Sequence, residues 1–174
     1  MYLFMAAEAE RLAQLLGVAA LAATDRLRGA VESELAHGGS APGALVHLQA
    51  HPGGSVESLR QVLGISQPAA ARLVEQLVSE GQLERRPGAD RRTHALHLTR
   101  RGDEAATALL ERRASSLREL LSVLGPREQA ALVPLLERLV SGLAQDRAGA
   151  LRACRMCDRG ACTAGPGCPL EHTA

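Results

Sequence analysis

The sequence predicts a mainly helical protein that carries one small β-hairpin. The chain has 174 residues, of which 46% are apolar and only 1% aromatic, so its core must be built from Leu, Val and Ala. Leu and Ala are strong helix formers. Apolar residues recur at three- and four-residue steps along most of the chain, and one stretch in the middle alternates as paired strands do.

The first predicted element is a long helix over residues 5–36, because its apolar residues all fall on one helical face. The glycine-rich segment 37–40 ends this helix. A short helix is expected next, over residues 42–50.

Two further helices are expected on either side of a tight turn. Ser55 has the properties of an N-cap and begins the first helix. The turn Gly64-Ile65-Ser66 ends that helix and supplies a second N-cap. The second helix is expected over residues 67–80, with Pro68 in its first turn, where a missing N–H costs little.

A hairpin and two more helices complete the predicted order. Residues 82–86 and 93–99 are expected to form strands, and residues 87–90 have turn-forming chemistry. Helical periodicity returns over 101–124, and again over 126–145 after a Gly-Pro break.

The basic residues are unevenly distributed. The formal net charge is only +1, but residues 41–102 contain 8 Arg against 5 acidic residues. Such a local surplus is what binding to a phosphate backbone requires.

The order of the predicted elements is that of a winged helix-turn-helix: two helices joined by a tight turn, followed by an arginine-bearing hairpin. In this pattern the second helix enters the major groove. The candidate DNA-contacting residues are Ser66, Gln67, Pro68, Ala71 and Arg72 on the second helix, and Asp90, Arg91 and Arg92 at the hairpin tip.

These segments resemble the MarR family of transcriptional regulators over about residues 5–145. The residues that carry the resemblance are Gly64-Ile65-Ser66-Gln67, Arg72-Leu73-Val74, Gly81-Gln82-Leu83-Glu84-Arg85-Arg86, Asp90-Arg91-Arg92 and Leu98-Thr99-Arg100-Arg101-Gly102. The resemblance implies a homodimer on a pseudopalindromic operator, and Arg92 in the minor groove, oriented by Asp90. It also implies a small-molecule effector bound between the dimerisation and winged lobes. Ala71 departs from the family pattern, because Ser or Thr often stands there.

The predicted organisation has three parts. Residues 1–40 and 101–152 are expected to form a helical dimerisation region from both ends of the chain. Residues 41–100 are expected to form the winged helix-turn-helix lobe, and 153–174 a cysteine-rich tail. The first helix is too long for one small lobe to cover, which independently favours a homodimer.

All four cysteines lie in the tail, at Cys154, Cys157, Cys162 and Cys168. Four thiolates at this spacing match a tetrahedral zinc site, and a reducing compartment favours metal over disulfides. The same ligands would also suit an iron–sulfur cluster. A redox pair of Cys154 with Cys157 is the third interpretation.

The function predicted from the sequence is a sequence-specific transcriptional regulator, expected to be a repressor, that binds double-stranded DNA as a homodimer and responds to metal or redox state at its tail. No nucleophile–base pair or phosphate loop is visible, so no enzyme activity is expected. No targeting or membrane-spanning segment is visible either, which predicts a cytoplasmic protein without a membrane partner. A redox or electron-transfer protein and a protein-interaction winged helix are the alternatives.

Overall fold

The structure is a computed structural model and describes residues 2–32, 39–88, 94–165 and 167–171. The described part is mainly helical with one two-stranded antiparallel sheet, which confirms the predicted fold class. The elements are α1 (Tyr2–Glu32), α2 (Ala41–Ala50), α3 (Val56–Leu63), α4 (Gln67–Ser79), β1 (Leu83–Pro87), β2 (His94–Leu98), α5 (Arg100–Leu121), α6 (Pro126–Leu143), α7 (Arg147–Ala153) and α8 (Arg159–Cys162).

The expected elements are present, with ends a few residues from those predicted. Helix α7 lies in the region up to residue 152 that is predicted to be helical, although the sequence does not separate it from α6, whereas α8 lies in the tail, where no helix is predicted. The turn of the hairpin, residues 89–93, lies outside the described residues.

Helix α2 is the centre of the winged lobe. Seven of its ten residues are buried, so it is enclosed on nearly all sides. Small residues allow the neighbouring helices to approach α2 closely. At Gly43, for example, an added methyl group would lie only 2.9 Å from Cδ2 of Leu63 on α3. The core around α2 comes from every other element of the lobe and consists of Ala41, Ala44, Leu45, Val46, Leu48, Leu59, Val74, Leu77, Leu83, Leu96, Ala106 and Leu109.

The hairpin is anchored to the lobe by a third backbone segment. β1 and β2 pair in register from Leu83 opposite Leu98 to Pro87 opposite His94. Gly54 forms a further antiparallel bridge to Leu96, with N–O distances of 2.8 and 2.9 Å through Gly54 and its neighbour Gly53. The loop after α2 therefore holds the base of the hairpin.

The junction between the hairpin and α5 depends on Thr99. Its hydroxyl donates to the Gly81 carbonyl at 2.6 Å and accepts from the Gly102 N–H at 3.2 Å, so it caps α5 and ties it to the segment before β1. The Thr99 N–H also donates to the Gln82 carbonyl. A methyl group on Gly102 would lie 2.0 Å from that carbonyl oxygen, so only glycine fits there.

The two longest apolar surfaces belong to α1 and α6. All side chains from Ala7 to Ala22 on α1 are exposed, and α6 has no buried residue among those described. The exposed large apolar residues on these two helices are Leu12, Leu15, Leu16, Val18 and Leu21, then Val133, Leu135, Leu136, Leu139 and Leu143. Among the described helices, none combines the length and apolar character needed to cross a membrane.

We expect Gly102→Ala to destabilise the protein by about 2–3 kcal/mol, because the added methyl group overlaps the backbone of Gln82 and that backbone cannot rotate away. Urea denaturation of the purified variant measures the change. Gly29→Ala is the matched control, since nothing lies within 4 Å of a methyl group there, and it should be neutral or stabilising by up to about 1 kcal/mol. Equal stability of the two variants would contradict the tight junction.

Candidate nucleic-acid interface and cysteine cavity

The helix-turn-helix is built from strong local caps. Ser55 and Ser58 form a reciprocal capping box at the start of α3, with both N–O distances at 3.0 Å. Gly64 ends α3 in the left-handed conformation, at φ 65°, which glycine adopts without strain. Ser66 then caps α4 by accepting from the Ala69 N–H at 3.4 Å. Both predicted N-caps are thus confirmed.

The beginning of α4 presents the predicted recognition residues to the surface. Ser66, Gln67, Pro68 and Arg72 are exposed, and Ala71 is half-buried. The opposite face holds the helix in the core through Ala70, Val74 and Leu77. Gln and Arg in such positions can form paired hydrogen bonds with adenine and guanine edges in the major groove.

Exposed arginines continue along the hairpin. Arg85 and Arg86 are both exposed on β1, and Arg86 binds Glu84 with an N–O distance of 2.8 Å. The predicted tip residues Asp90, Arg91 and Arg92 lie outside the described residues. On α3, Glu57 accepts two hydrogen bonds from Arg60, at 2.8 and 2.7 Å, and these lower the pKa of Glu57 to about 2. That guanidinium is therefore engaged within its own helix.

The four cysteines line one cavity of about 370 Å³ between the tail and α2. Cys154 follows α7, and the N–H of Cys157 donates to its carbonyl at 2.8 Å. Cys162 is the last residue of α8, and Cys168 directly follows Gly167, whose φ is 119°. All four predicted ligand residues therefore meet at one place.

The thiols contact one another in two pairs. Burial, and then the nearby Cys168 and Cys162, raise the pKa of Cys154, which also shares a hydrogen bond with Cys168. The pKa of Cys157 is raised to about 12, mainly by burial. The nearby Cys162, which shares a hydrogen bond with Cys157, and then Cys154 raise it further. The contacts thus join Cys154 to Cys168 and Cys157 to Cys162, a different arrangement from the Cys154–Cys157 pair considered from the sequence.

No group of three or more His, Cys, Asp or Glu side chains within residues 2–32, 39–88, 94–165 and 167–171 has the geometry of a metal site. The donor set nevertheless suits a thiophilic cation, because four cysteine side chains line the same cavity.

Two histidines of α2 form the opposite wall of the cysteine cavity. The rings of His47 and His51 stack with centroids 4.6 Å apart. Nε2 of His51 faces Nη1 of Arg159 at 3.1 Å, and its Nδ1 faces the His47 carbonyl at 3.2 Å. A guanidinium only donates, so Nε2 accepts and Nδ1 carries the proton. This contact ties the tail to the winged lobe.

A second cavity, of about 760 Å³, lies where α1, α2, α3, α5 and α7 meet. Four arginines line it and none of its described lining residues is acidic; the arginines are Arg28, Arg113, Arg152 and Arg155. The sequence did not indicate this set, because its members come from three separate helices and no local spacing relates them. The cavity is suited to an anion.

The comparisons with known proteins identify the fold. No family model matches the chain. The HTH-type transcriptional regulator PetP of Rhodobacter capsulatus is 30% identical over 98 residues, which are 56% of this chain and 59% of that protein. The chain therefore matches about three fifths of the length of this curated relative.

Solved structures of MarR-type regulators superpose on the chain. RV1404 from Mycobacterium tuberculosis has a TM-score of 0.67 at 22% identity, covering 75% of this chain and 90% of its own. MepR, a transcription regulator of the Staphylococcus aureus multidrug efflux pump MepA, has a TM-score of 0.66 at 19% identity, and the match covers 76% of this chain and 98% of MepR. MarR from E. coli has a TM-score of 0.58 at 22% identity, and the match covers 71% of this chain and 96% of that protein. The chain has their winged-helix fold, as the sequence resemblance implied.

We expect the pH dependence of stability to identify His47. Burial, and secondarily His51, lower the pKa of His47 from 6.5 to about 4. Between these values the unfolded chain binds more protons than the folded protein, so stability falls as the pH drops from about 6.5 to 4. In chelator-containing buffer, His47→Gln should lose stability less steeply over this window than the wild type, as measured by thermal denaturation.

The matched control is His94→Gln, which removes an exposed histidine from β2. This variant should retain the pH slope of the wild type. If His47→Gln also retains it, burial does not disfavour the charged form of His47.

Proposed function

We propose that this chain, which has the fold of the MarR-family transcriptional regulators, is a sequence-specific DNA-binding regulator that acts as a homodimer in the cytoplasm. The observation that carries the proposal is the start of α4, where a capped helix presents Gln67 and Arg72 to solvent beside an arginine-bearing hairpin. Repression is the mode we propose, by exclusion of polymerase from an overlapping site.

The roles within the interface follow from position. Gln67, Pro68, Ala71 and Arg72 lie at the start of α4 and would face base edges in the major groove. Ser66 keeps its hydroxyl on the helix N-terminus, where the N–H groups favour a phosphate. We propose that Arg92, oriented by Asp90 and next to Arg91, enters the minor groove.

The homodimer is supported by the uncovered apolar surface of α1 and α6. Leu21 is 69% exposed and Leu139 is 50% exposed, and it is unusual for a monomer to expose so many large apolar residues on two of its helices. Helix α1 has 31 residues and is about 46 Å long, and its side chains from residue 7 to residue 22 are all exposed. A second copy would cover the rest and position two α4 helices for a pseudopalindrome.

The effector we propose is a small organic anion bound in the arginine-lined cavity. The cavity touches α1 and α5 on one side and the Gly64 turn of the helix-turn-helix on the other. A carboxylate held by Arg28 and Arg113 would therefore lie between the helices of the proposed dimer and the DNA-reading lobe.

Arg72→Ala and Arg92→Ala should both weaken DNA binding, and in different ways. The probe is duplex DNA selected from a random pool by the wild-type protein, which also reveals whether the site is pseudopalindromic. Loss of a base contact at Arg72 should cost about 1–3 kcal/mol and relax the preference at one position. Loss of Arg92 should reduce affinity and the preference for a narrow, A·T-rich groove. Gel shifts at several salt concentrations measure both effects.

The control is Arg127→Ala, which removes an exposed arginine of α6 far along the chain from the winged lobe. It should leave affinity and salt dependence unchanged. A wild-type protein that selects no sequence from the pool, or whose binding does not weaken with salt, would contradict the proposed function.

Leu21→Glu should convert the proposed homodimer to a monomer, because it buries a carboxylate in the interface of both copies. Sedimentation velocity measures the change. Ser79→Glu adds the same charge at an exposed position on α4 and should sediment as the wild type does. A monomeric wild type at micromolar concentration would exclude the homodimer.

A further inference from the structure

We propose that Cys154, Cys157, Cys162 and Cys168 bind one zinc ion, and that the ion fixes the tail as a brace between α6 and the winged lobe of the same chain. The zinc site stands independently of the proposed function. Only the final step, an effect on DNA affinity, rests on it.

The position of the thiols supports a single shared ion. They line one cavity, where hydrogen bonds pair Cys154 with Cys168 and Cys157 with Cys162. With zinc–sulfur bonds of about 2.3 Å, the sulfur atoms of a tetrahedral site are roughly 3.8 Å apart, close to the spacing of hydrogen-bonded thiols. Loading therefore requires the two pairs to close on each other, with a shift of the exposed segment 159–165 that Arg159 holds against His51.

The histidines nearby do not enter the ligand set. Both ring nitrogens of His51 are engaged, one by Arg159 and one by the His47 carbonyl. The ligands we propose are the four thiolates, a sulfur set that selects zinc over magnesium, calcium or manganese.

The tail packs on the dimerisation side through a small apolar cluster. Ala144, Ala150 and Leu170 are buried together, with Val140 of α6 packed against them. Cys154 and Cys168 belong to the same cluster. Two of the four proposed ligands are thus packed against the end of α6.

The other side of α7 packs on the helix-turn-helix. Arg152 lies over the turn between α3 and α4, with its Cδ 3.0 Å from where a methyl group on Gly64 would be. Met156 packs on the core of the winged lobe, and α7 contacts α3 along its length. Zinc bonds from Cys154 to Cys168 would close this segment into a rigid loop and fix the angle between α6 and the turn.

Every one of these contacts lies within one chain. The brace therefore predicts one zinc per chain and no zinc-dependent change in subunit number, unlike an ion that joins two subunits.

The first test is metal analysis of the full-length protein purified from zinc-supplemented medium. We expect a colourless protein with one zinc per chain, and Cys157→Ser and Cys162→Ser proteins that lose at least about 100-fold in zinc affinity. Ala164→Ser is the matched control, since it adds the same side chain to the same exposed segment without removing a thiol. It should retain one zinc. Circular dichroism verifies that all variants remain helical.

Several results would overturn the site. These are a wild type without zinc, a brown protein with the visible spectrum of an iron–sulfur cluster, intramolecular disulfides in place of metal, or folded Cys→Ser variants that keep full zinc affinity.

The second test measures the brace by hydrogen exchange, before and after removal of zinc with a chelator. Amides of residues 147–163 and of the turn 64–66 should exchange faster without zinc, and re-addition of zinc should restore protection. If zinc binds but exchange in both segments is unchanged, the brace is wrong although the site stands.

The third test measures DNA affinity. If the brace is correct, the wild type should bind the selected DNA at least about tenfold more weakly after zinc has been removed with a chelator. A protein that binds zinc and protects these segments but never binds DNA would refute the proposed function alone.

Discussion

The enclosure of α2 is the constraint on which the rest of the structure depends. A helix with buried residues on nearly all sides must be lined by small side chains at its closest contacts, and Ala41, Gly43 and Ala44 meet that requirement. Since the chain has almost no aromatic residues, close approach of helices replaces bulky side chains as the source of packing. The two histidines near the end of α2 then face away from this core and form a wall of the cysteine cavity.

The wing is positioned by backbone contacts. Gly53 and Gly54 pair with Leu96, and Thr99 joins Gly81 to the start of α5. These contacts give a physical reason for the Leu-Thr-Arg-Arg-Gly motif: the threonine caps the helix, and the glycine clears the carbonyl to which the threonine N–H is bonded. The motif therefore maintains the angle between hairpin and helix.

The sequence predicts those parts of the fold whose information is local. Ser55, Gly64 and Ser66 delimit α3 and α4 by capping chemistry, which operates within four residues. Alternation predicts the two strands for the same reason. The bridge at Gly54 was missed because strand pairing with β2 is a long-range contact, and glycines there indicate only a turn.

The candidate sites divide in the same way. Their members could be listed from spacing, as the four cysteines were, but the contacts between members could not. Hydrogen bonds join Cys157 to Cys162 and Cys154 to Cys168, whereas spacing alone favours the C-x2-C pair. The arginine-lined cavity had no local signal at all, because Arg28, Arg113 and Arg152 lie on different helices.

Helix α7 and the residues directly after it form a wall shared by the arginine-lined cavity and the cysteine cavity. Arg152 and Arg155 line the arginine cavity, whereas Ala150 and Cys154 line the cysteine cavity. A helix of seven residues is too short to be stable alone, so its position is set by what it packs against at each end. Any event that moves α7 must change both cavities and the contact with Gly64 together. Chemistry at the cysteines and binding of an anion thus act on the same short helix, and that helix rests on the turn that orients α4.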